Sequence, residues 1–182
     1  MKLLRLGVLL SMVLLAGCTG LPDGIEPVSE LDLERYKGTW YEIARLDHSF
    51  EQGLSNVTAE YSLNPDGSIA VINRGYSAEE GAWQEADGHA VPVEDSAAGH
   101  LKVSFFGPFY ASYVVFRLNE DYQTAYITGY NRDYLWLLAR SPHVDDETIE
   151  DFKAVAKAKG FDLSELIQVD QSRNIGKGPA AD

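Results

Sequence analysis

The chain has 182 residues, which fits one domain and leaves little room for a second. Hydrophobic residues make up 45% and charged residues 24%, an ordinary globular balance that excludes a disordered chain. The formal net charge of −13 excludes a nucleic-acid binder, which needs a cationic face. One cysteine, Cys18, excludes an intrachain disulfide framework, a Cys-x-x-Cys redox centre and any cysteine-rich zinc or iron–sulfur site.

The first segment reads as a leader. Lys2 and Arg5 are the only charges before Cys18, and Leu6 to Leu15 is a nearly unbroken apolar run. A spanning helix needs about 20 apolar residues, so a basic start, a short apolar centre and small residues before a cut site indicate a secretory signal. Leu15-Ala16-Gly17-Cys18 resembles the bacterial lipobox, in which the cysteine becomes the first mature residue and carries acyl groups such as palmitate. On that resemblance residues 1–17 are the signal peptide. The mature chain is then Cys18 to Asp182, 165 residues, and loss of Lys2 and Arg5 takes the charge to −15. Several acyl chains anchor stably where one does not. Thr19, where an aspartate favours inner-membrane retention in enteric lipoproteins, implies the outer membrane, with the barrel facing the periplasm. Residues 18–30, with Pro22, Gly24 and Pro27, read as a lipidated tether.

Alternation then predicts eight strands in chain order: Thr39–Leu46, Asn56–Leu63, Ser68–Tyr76, Ala82–Val93, Gly99–Phe106, Ala111–Leu118, Tyr122–Gly129 and Asp133–Arg140. Asn64-Pro65-Asp66-Gly67, Glu79-Glu80-Gly81 and Gly107-Pro108 are turn sequences between them. Hairpin-length links favour an all-β, eight-stranded antiparallel up-and-down barrel. One helix follows, capped by Asp145 or Asp146 and ended by Gly160. Ile149, Phe152, Val155 and Ala156 share a face that predicts packing outside the barrel. Leu166–Asp170 reads as a short added strand. Residues 31–171 are the domain, and 172–182 read as a flexible tail.

Gly38-Thr39-Trp40 stands behind Leu33-Glu34-Arg35-Tyr36 and far ahead of Asp133-Tyr134-Leu135-Trp136-Leu137-Leu138-Ala139-Arg140. Together these resemble the lipocalins, and Lys102–Tyr110 is similar to the bacterial lipocalins in particular. The resemblance covers about Leu33 to Val169. It implies structural roles for Gly38, Trp40 and Arg140: Trp40 seals the barrel floor and Arg140 lies across its ring. It also implies a part in outer-membrane maintenance. Thr128-Gly129-Tyr130-Asn131-Arg132-Asp133-Tyr134 departs from the family's usual Thr-Asp-Tyr-x-x-Tyr block.

If Trp40 points inward, alternation carries Glu42 and Ala44 inward as well. It adds Val57, Ala59 and Tyr61; Ile69, Val71, Asn73 and Gly75; Ala86, Gly88 and Ala90; Leu101, Val103 and Phe105; Tyr113 and Val115; and Tyr134, Trp136 and Leu138. The candidate ligand-binding residues are Ala44, Val57, Ala59, Tyr61, Val71, Asn73, Gly88, Ala90, Val103, Phe105, Tyr113, Val115, Tyr134, Trp136 and Leu138. The lining is apolar and aromatic, the make-up of a small-molecule pocket. The small residues of the fourth strand leave free volume. Glu42, Asn73, Tyr113 and Tyr134 are its polar members. Glu42 reads as a buried carboxyl satisfied by backbone amides or by Arg35, Arg45 or Arg140.

The expected function is storage, transport or scavenging of fatty acids or lysophospholipids by an anchored barrel, with no cofactor and no metal. A filled barrel serving as an anchored interaction module is the alternative. An enzyme is disfavoured: His48, His89, His100 and His143 are scattered, and no Gly-x-Ser-x-Gly elbow exists. The aromatic string Phe105–Tyr110 is open to three readings: pocket wall, membrane-touching rim or homodimer face.

Overall fold

The computed structural model describes residues 19–174. The leader, Cys18 and the chain from 175 onward lie outside the described residues. Helix α1 (Leu33–Tyr36) is started by Asp32, whose carboxylate accepts from the Glu34 and Arg35 amides. Gly38 then turns the chain into β1 at φ +92°, a region open to glycine.

The strands are β1 (Gly38–Leu46), β2 (Leu54–Leu63), β3 (Ile69–Ser77), β4 (Ala82–Pro92), β5 (His100–Phe106), β6 (Phe109–Leu118), β7 (Thr124–Thr128) and β8 (Leu135–Ala139). Each pairs antiparallel with its chain neighbours, and β1 pairs with both β2 and β8, which closes the barrel. Closure removes free sheet edges. Strand β9 (Leu166–Gln168) adds to the outer half of β1, beyond the residues that pair with β2.

Two apolar layers follow from alternation. Inside, Tyr36, Trp40, Tyr61, Ile69, Leu101, Val115 and Ile127 fill the closed end. Outside, Tyr41, Ile43, Leu135 and Leu137 pack under α2 (Asp146–Ala158) through Phe152 and Ala156, both fully buried. Asp145 caps α2 by accepting from the Thr148 amide at 2.8 Å, and Gly160 at φ +83° ends it. Burial of the Phe152 ring alone contributes about 2–3 kcal/mol.

Two terminal stretches depart from the sequence reading. The expected tether is packed from its first described residues. Ile25 is 2% exposed, and Leu21 lies against the outer core. The Ser112 hydroxyl donates to the Gly20 carbonyl, and Val28 joins the barrel through Val28 N to Val115 O at 2.9 Å and Gly99 N to Val28 O at 3.0 Å. At the other end, the expected tail is held in its described part. The Arg173 amide donates to Asn56 Oδ1 at 2.7 Å, the Asn174 amide group donates to Asn56 O at 3.0 Å, and the Arg173 guanidinium sits 3.7 Å over the Tyr76 ring. Asn56 adopts φ +56°, which brings its buried polar groups to these partners.

Candidate functional site: a barrel cavity with a polar wall

The closed end is built from the residues the motif named. Trp40 is fully buried and its indole N–H donates to Tyr36 O at 2.8 Å. The Arg140 guanidinium stacks 4.0 Å from the Trp40 ring. It also donates to Thr39 O, Arg35 O, Tyr36 O and Lys37 O at 2.7–3.1 Å. One side chain thus ties α1 across the floor. The ring contact contributes about 0.5–2 kcal/mol, and the charge-assisted bonds satisfy carbonyls that the short helix leaves open. Above the floor, the hydroxyls of Tyr36 and Tyr61 meet that of Tyr113 at 2.7 and 3.0 Å. Burial pushes all three phenols up, so they stay neutral.

Above the tyrosines a cavity of about 590 Å³ opens toward the loops that follow β1, β3, β5 and β7. Of the residues expected to line it, Val57, Ala59, Tyr61, Val71, Asn73, Ala90, Val103, Phe105, Tyr113, Tyr134, Trp136 and Leu138 do so. Three others do not. Ala44 belongs to the outer core, because a bulge between Glu42 and Ala44 places an extra residue opposite β8 and reverses the alternation. Val115 is fully buried in the packed floor, below the cavity. Gly88 is covered by Phe105: a Cβ there would lie 2.7 Å from the ring, so the missing side chain seats an aromatic instead of leaving space. Ala86, also expected to face inward, lines the cavity.

The same bulge turns Arg45 inward, and Arg45 organises the polar wall. Arg45 is 1% exposed and its guanidinium donates to Glu42 Oε1 at 2.6 Å. A second nitrogen donates to Glu51 O and Leu54 O at 3.0 and 3.1 Å, which pins the loop between β1 and β2. Glu51, also buried, accepts from the Trp136 indole N–H at 3.1 Å. Burial pushes the Glu42 carboxyl well up, and the neighbouring Glu51 raises it further against the pull of Arg45. Burial also raises Glu51. Both shifts act against ionisation, so burial holds the two carboxyls toward their neutral forms while the guanidinium opposes it. His48 lies across this group, its ring stacked 4.0 Å from Phe50 and 5.0 Å from Trp136. Its pKa is lowered to about 4, chiefly by burial and then by Arg45, so the ring is neutral near pH 7.

Arg45 as a Glu42 partner was one of several expected. Its inward position, and those of Glu51 and Phe50, was not read from the pattern. The available signal was an arginine enclosed by Ile43, Ala44 and Leu46, a charge that an apolar strand must pair. Among the described residues the four histidines stay apart. His100 meets the Ser96 and Ser112 hydroxyls in hydrogen bonds, at 2.9 and 3.2 Å, and the Thr19 backbone as well.

An eight-stranded antiparallel barrel with a tryptophan–arginine floor, an outer helix and a deep apolar cup defines a lipocalin. Residues 31–171 match the Lipocalin-like domain family, and the chain belongs to that family. Across 165 residues it is 54% identical to the outer membrane lipoprotein Blc of Vibrio cholerae, covering 90% of this chain and 96% of that one. The Blc protein of Escherichia coli is 49% identical over 150 residues, 82% of this chain and 85% of its own. Temperature-induced lipocalin-1 of Arabidopsis thaliana is 36% identical, covering 81% and 83% of the two chains. Among solved structures, insecticyanin from the tobacco hornworm superposes with a TM-score of 0.66 at 22% identity, covering 83% of this chain and 86% of its own, a likeness of fold.

Proposed function

We propose that this protein is an outer-membrane lipoprotein that binds single-chain lipids, fatty acids or lysophospholipids, and carries or scavenges them. The supporting observation is the cavity: floored by Tyr36, Tyr61 and Tyr113, walled by aliphatic and aromatic side chains, and polar along one side. Burying about ten methylenes of an acyl chain gains roughly 8 kcal/mol, of which ordering takes back several. Ten methylenes alone therefore leave about millimolar to sub-millimolar binding, and the roughly fifteen of a full acyl chain, about 12 kcal/mol gross, bring it to the micromolar range. In the Glu42–Arg45–Glu51 wall the guanidinium is committed to Glu42 and two loop carbonyls and offers no free cation to a carboxylate. A neutral or zwitterionic head group is therefore favoured over an anionic one.

Anchoring through Cys18 is the second half of the reading, supported by the lipobox and by the likeness to the Blc outer membrane lipoproteins. Those relatives are named as lipoproteins and the Arabidopsis protein as a lipocalin, none as an enzyme. Titration of the intrinsic tryptophan fluorescence with lysophosphatidylethanolamine and with a long-chain fatty acid tests the binding. The expected result is saturable change with micromolar or tighter affinity, stronger for the zwitterion. Absence of saturable binding by either lipid overturns the proposal.

A further inference from the structure

Four large apolar side chains are exposed: Phe50 at 59%, Trp83 at 46%, Phe106 at 81% and Phe109 at 64%. All four lie at one end of the barrel, on the β1–β2 loop, at the start of β4 and on the β5–β6 hairpin. Three of them, Phe50, Phe106 and Phe109, also line the cavity, so the apolar rim continues into the apolar interior. The hairpin tip is uncharged from Phe105 to Tyr110. Phe106 and Phe109 pair across the hairpin, and exposed apolar surface of this kind marks a protein or membrane partner.

The start of the described chain indicates the partner. Gly20 is held by Ser112, three residues along β6 from Phe109, which is about 10 Å of extended strand. The Asp23 carbonyl accepts from Arg132 at 2.5 Å, and Arg132 belongs to the β7–β8 loop at the mouth. The described chain therefore starts on the wall that carries the aromatic hairpin, at Thr19, next in sequence to the cysteine that the lipobox reading acylates. An acyl group there draws that side of the mouth to the bilayer surface. We infer that the rim docks onto a lipid bilayer, with Phe106 and Phe109 inserted among the acyl chains and the cavity opening directly to the membrane.

The charges fit a tilted contact. Lys102 lies 5.4 Å from the Tyr110 ring, just behind the hairpin, at a level suited to lipid phosphates. Glu79 and Glu80, on the β3–β4 turn, face water and keep that part of the rim out of the apolar layer. Trp83 sits between these regions, edge-on to Tyr76 with centroids 5.7 Å apart, and indoles favour the interface. The lipid-anchor reading of Cys18 is part of this inference; lipid uptake by the cavity is not required for it.

The test uses the full processed chain in phosphatidylethanolamine–phosphatidylglycerol vesicles. With Cys18 acylated, an introduced cysteine is the only free thiol, so nitroxides are placed singly through Phe106→Cys and, at the closed end, Asp66→Cys. The expected depth from oxygen and nickel-chelate accessibility is about 5–10 Å below the phosphates for position 106, with position 66 in water. A double variant, Phe106→Ser with Phe109→Ser, slows lipid uptake from vesicles by tenfold or more beyond whatever affinity for dispersed lysolipid the loss of these two lining rings removes, the latter measured on the same variant. Position 106 in water on anchored protein overturns the docking, as does strong spin–spin coupling between copies at that site, which assigns the rim to a second copy. Protein that stays out of the vesicle fraction overturns anchor and docking together. Failure of the lysolipid titration with position 106 immersed sinks the lipid-carrier reading alone.

Discussion

The two ends of the barrel solve opposite problems. At the closed end every polar group faces a fixed partner: Trp40 with Tyr36 O, and Arg140 with the carbonyls of Thr39, Arg35, Tyr36 and Lys37. At the open end the partners are shared. One guanidinium serves Glu42 and two loop carbonyls, burial pushes two neighbouring carboxyls up, and Asn73 Oδ1 is buried without a hydrogen-bond partner. The floor is organised for rigidity, while the mouth wall is organised to hold a loop and leave room for something else. The Trp136 indole links the two, lining the cavity from β8 and donating to Glu51 in the loop.

Trp40→Ala separates the ends most sharply. Deleting a fully buried indole and the ring under Arg140 costs about 3–5 kcal/mol, read by urea unfolding. A loss under 1 kcal/mol breaks the rigid-floor account. Arg45→Met removes the organiser of the mouth while retaining apolar bulk. A carboxyl is left without its cation but can take up a proton, so the expected cost is about 2–3 kcal/mol, below that of an unrelieved buried charge. Proteolysis within residues 47–53 accelerates in that variant; an unchanged cleavage rate contradicts the role of Arg45 in pinning the loop.

Ala59→Phe acts on the space between the ends. Ala59 lines the cavity, and a phenyl group displaces about two methylenes of a bound chain, roughly 1.6 kcal/mol or about fifteenfold in lysolipid affinity. Unfolding midpoints stay near wild type, and calorimetric titration reads the affinity.

The smallest effects are those of pH. His48 has a folded pKa of about 4, below its ordinary 6.5. Its contribution is full above 6.5 and is lost as pH falls toward 4. His48→Phe therefore loses less stability than wild type between pH 6.5 and 4. Glu42 has the opposite sign, because its folded pKa is raised above 4.5. Its contribution is full below 4.5 and declines as pH rises through the folded value. The deficit of Glu42→Gln relative to wild type accordingly shrinks from pH 5 to pH 8. Parallel pH profiles for wild type and both variants contradict this assignment.

Much of the floor was legible because it is written in local motifs and strict alternation. Gly38, Trp40 and Arg140 occupy the places that the lipocalin resemblance implies, and most of the expected lining faces the cavity. The mouth wall was less legible because a single extra residue in β1 reverses the period, sending Ala44 out and Arg45 in. A two-residue period carries no mark of a bulge. Gly88 misled for a related reason: small residues signal space, but the sequence does not say which neighbouring ring fills it. The packed ends, Gly20 on Ser112 and Asn174 on Asn56, rest on hydrogen bonds between residues about a hundred positions apart, which composition alone reads as linker and tail.

Native mass spectrometry of the processed chain, purified from membranes in mild detergent, tests the central claim most directly. The account predicts a population carrying one single-chain lipid beyond the acylated mass, displaced by added lysophosphatidylethanolamine and depleted in Ala59→Phe. A single species at the acylated mass that takes up no lysolipid at saturating concentration contradicts it.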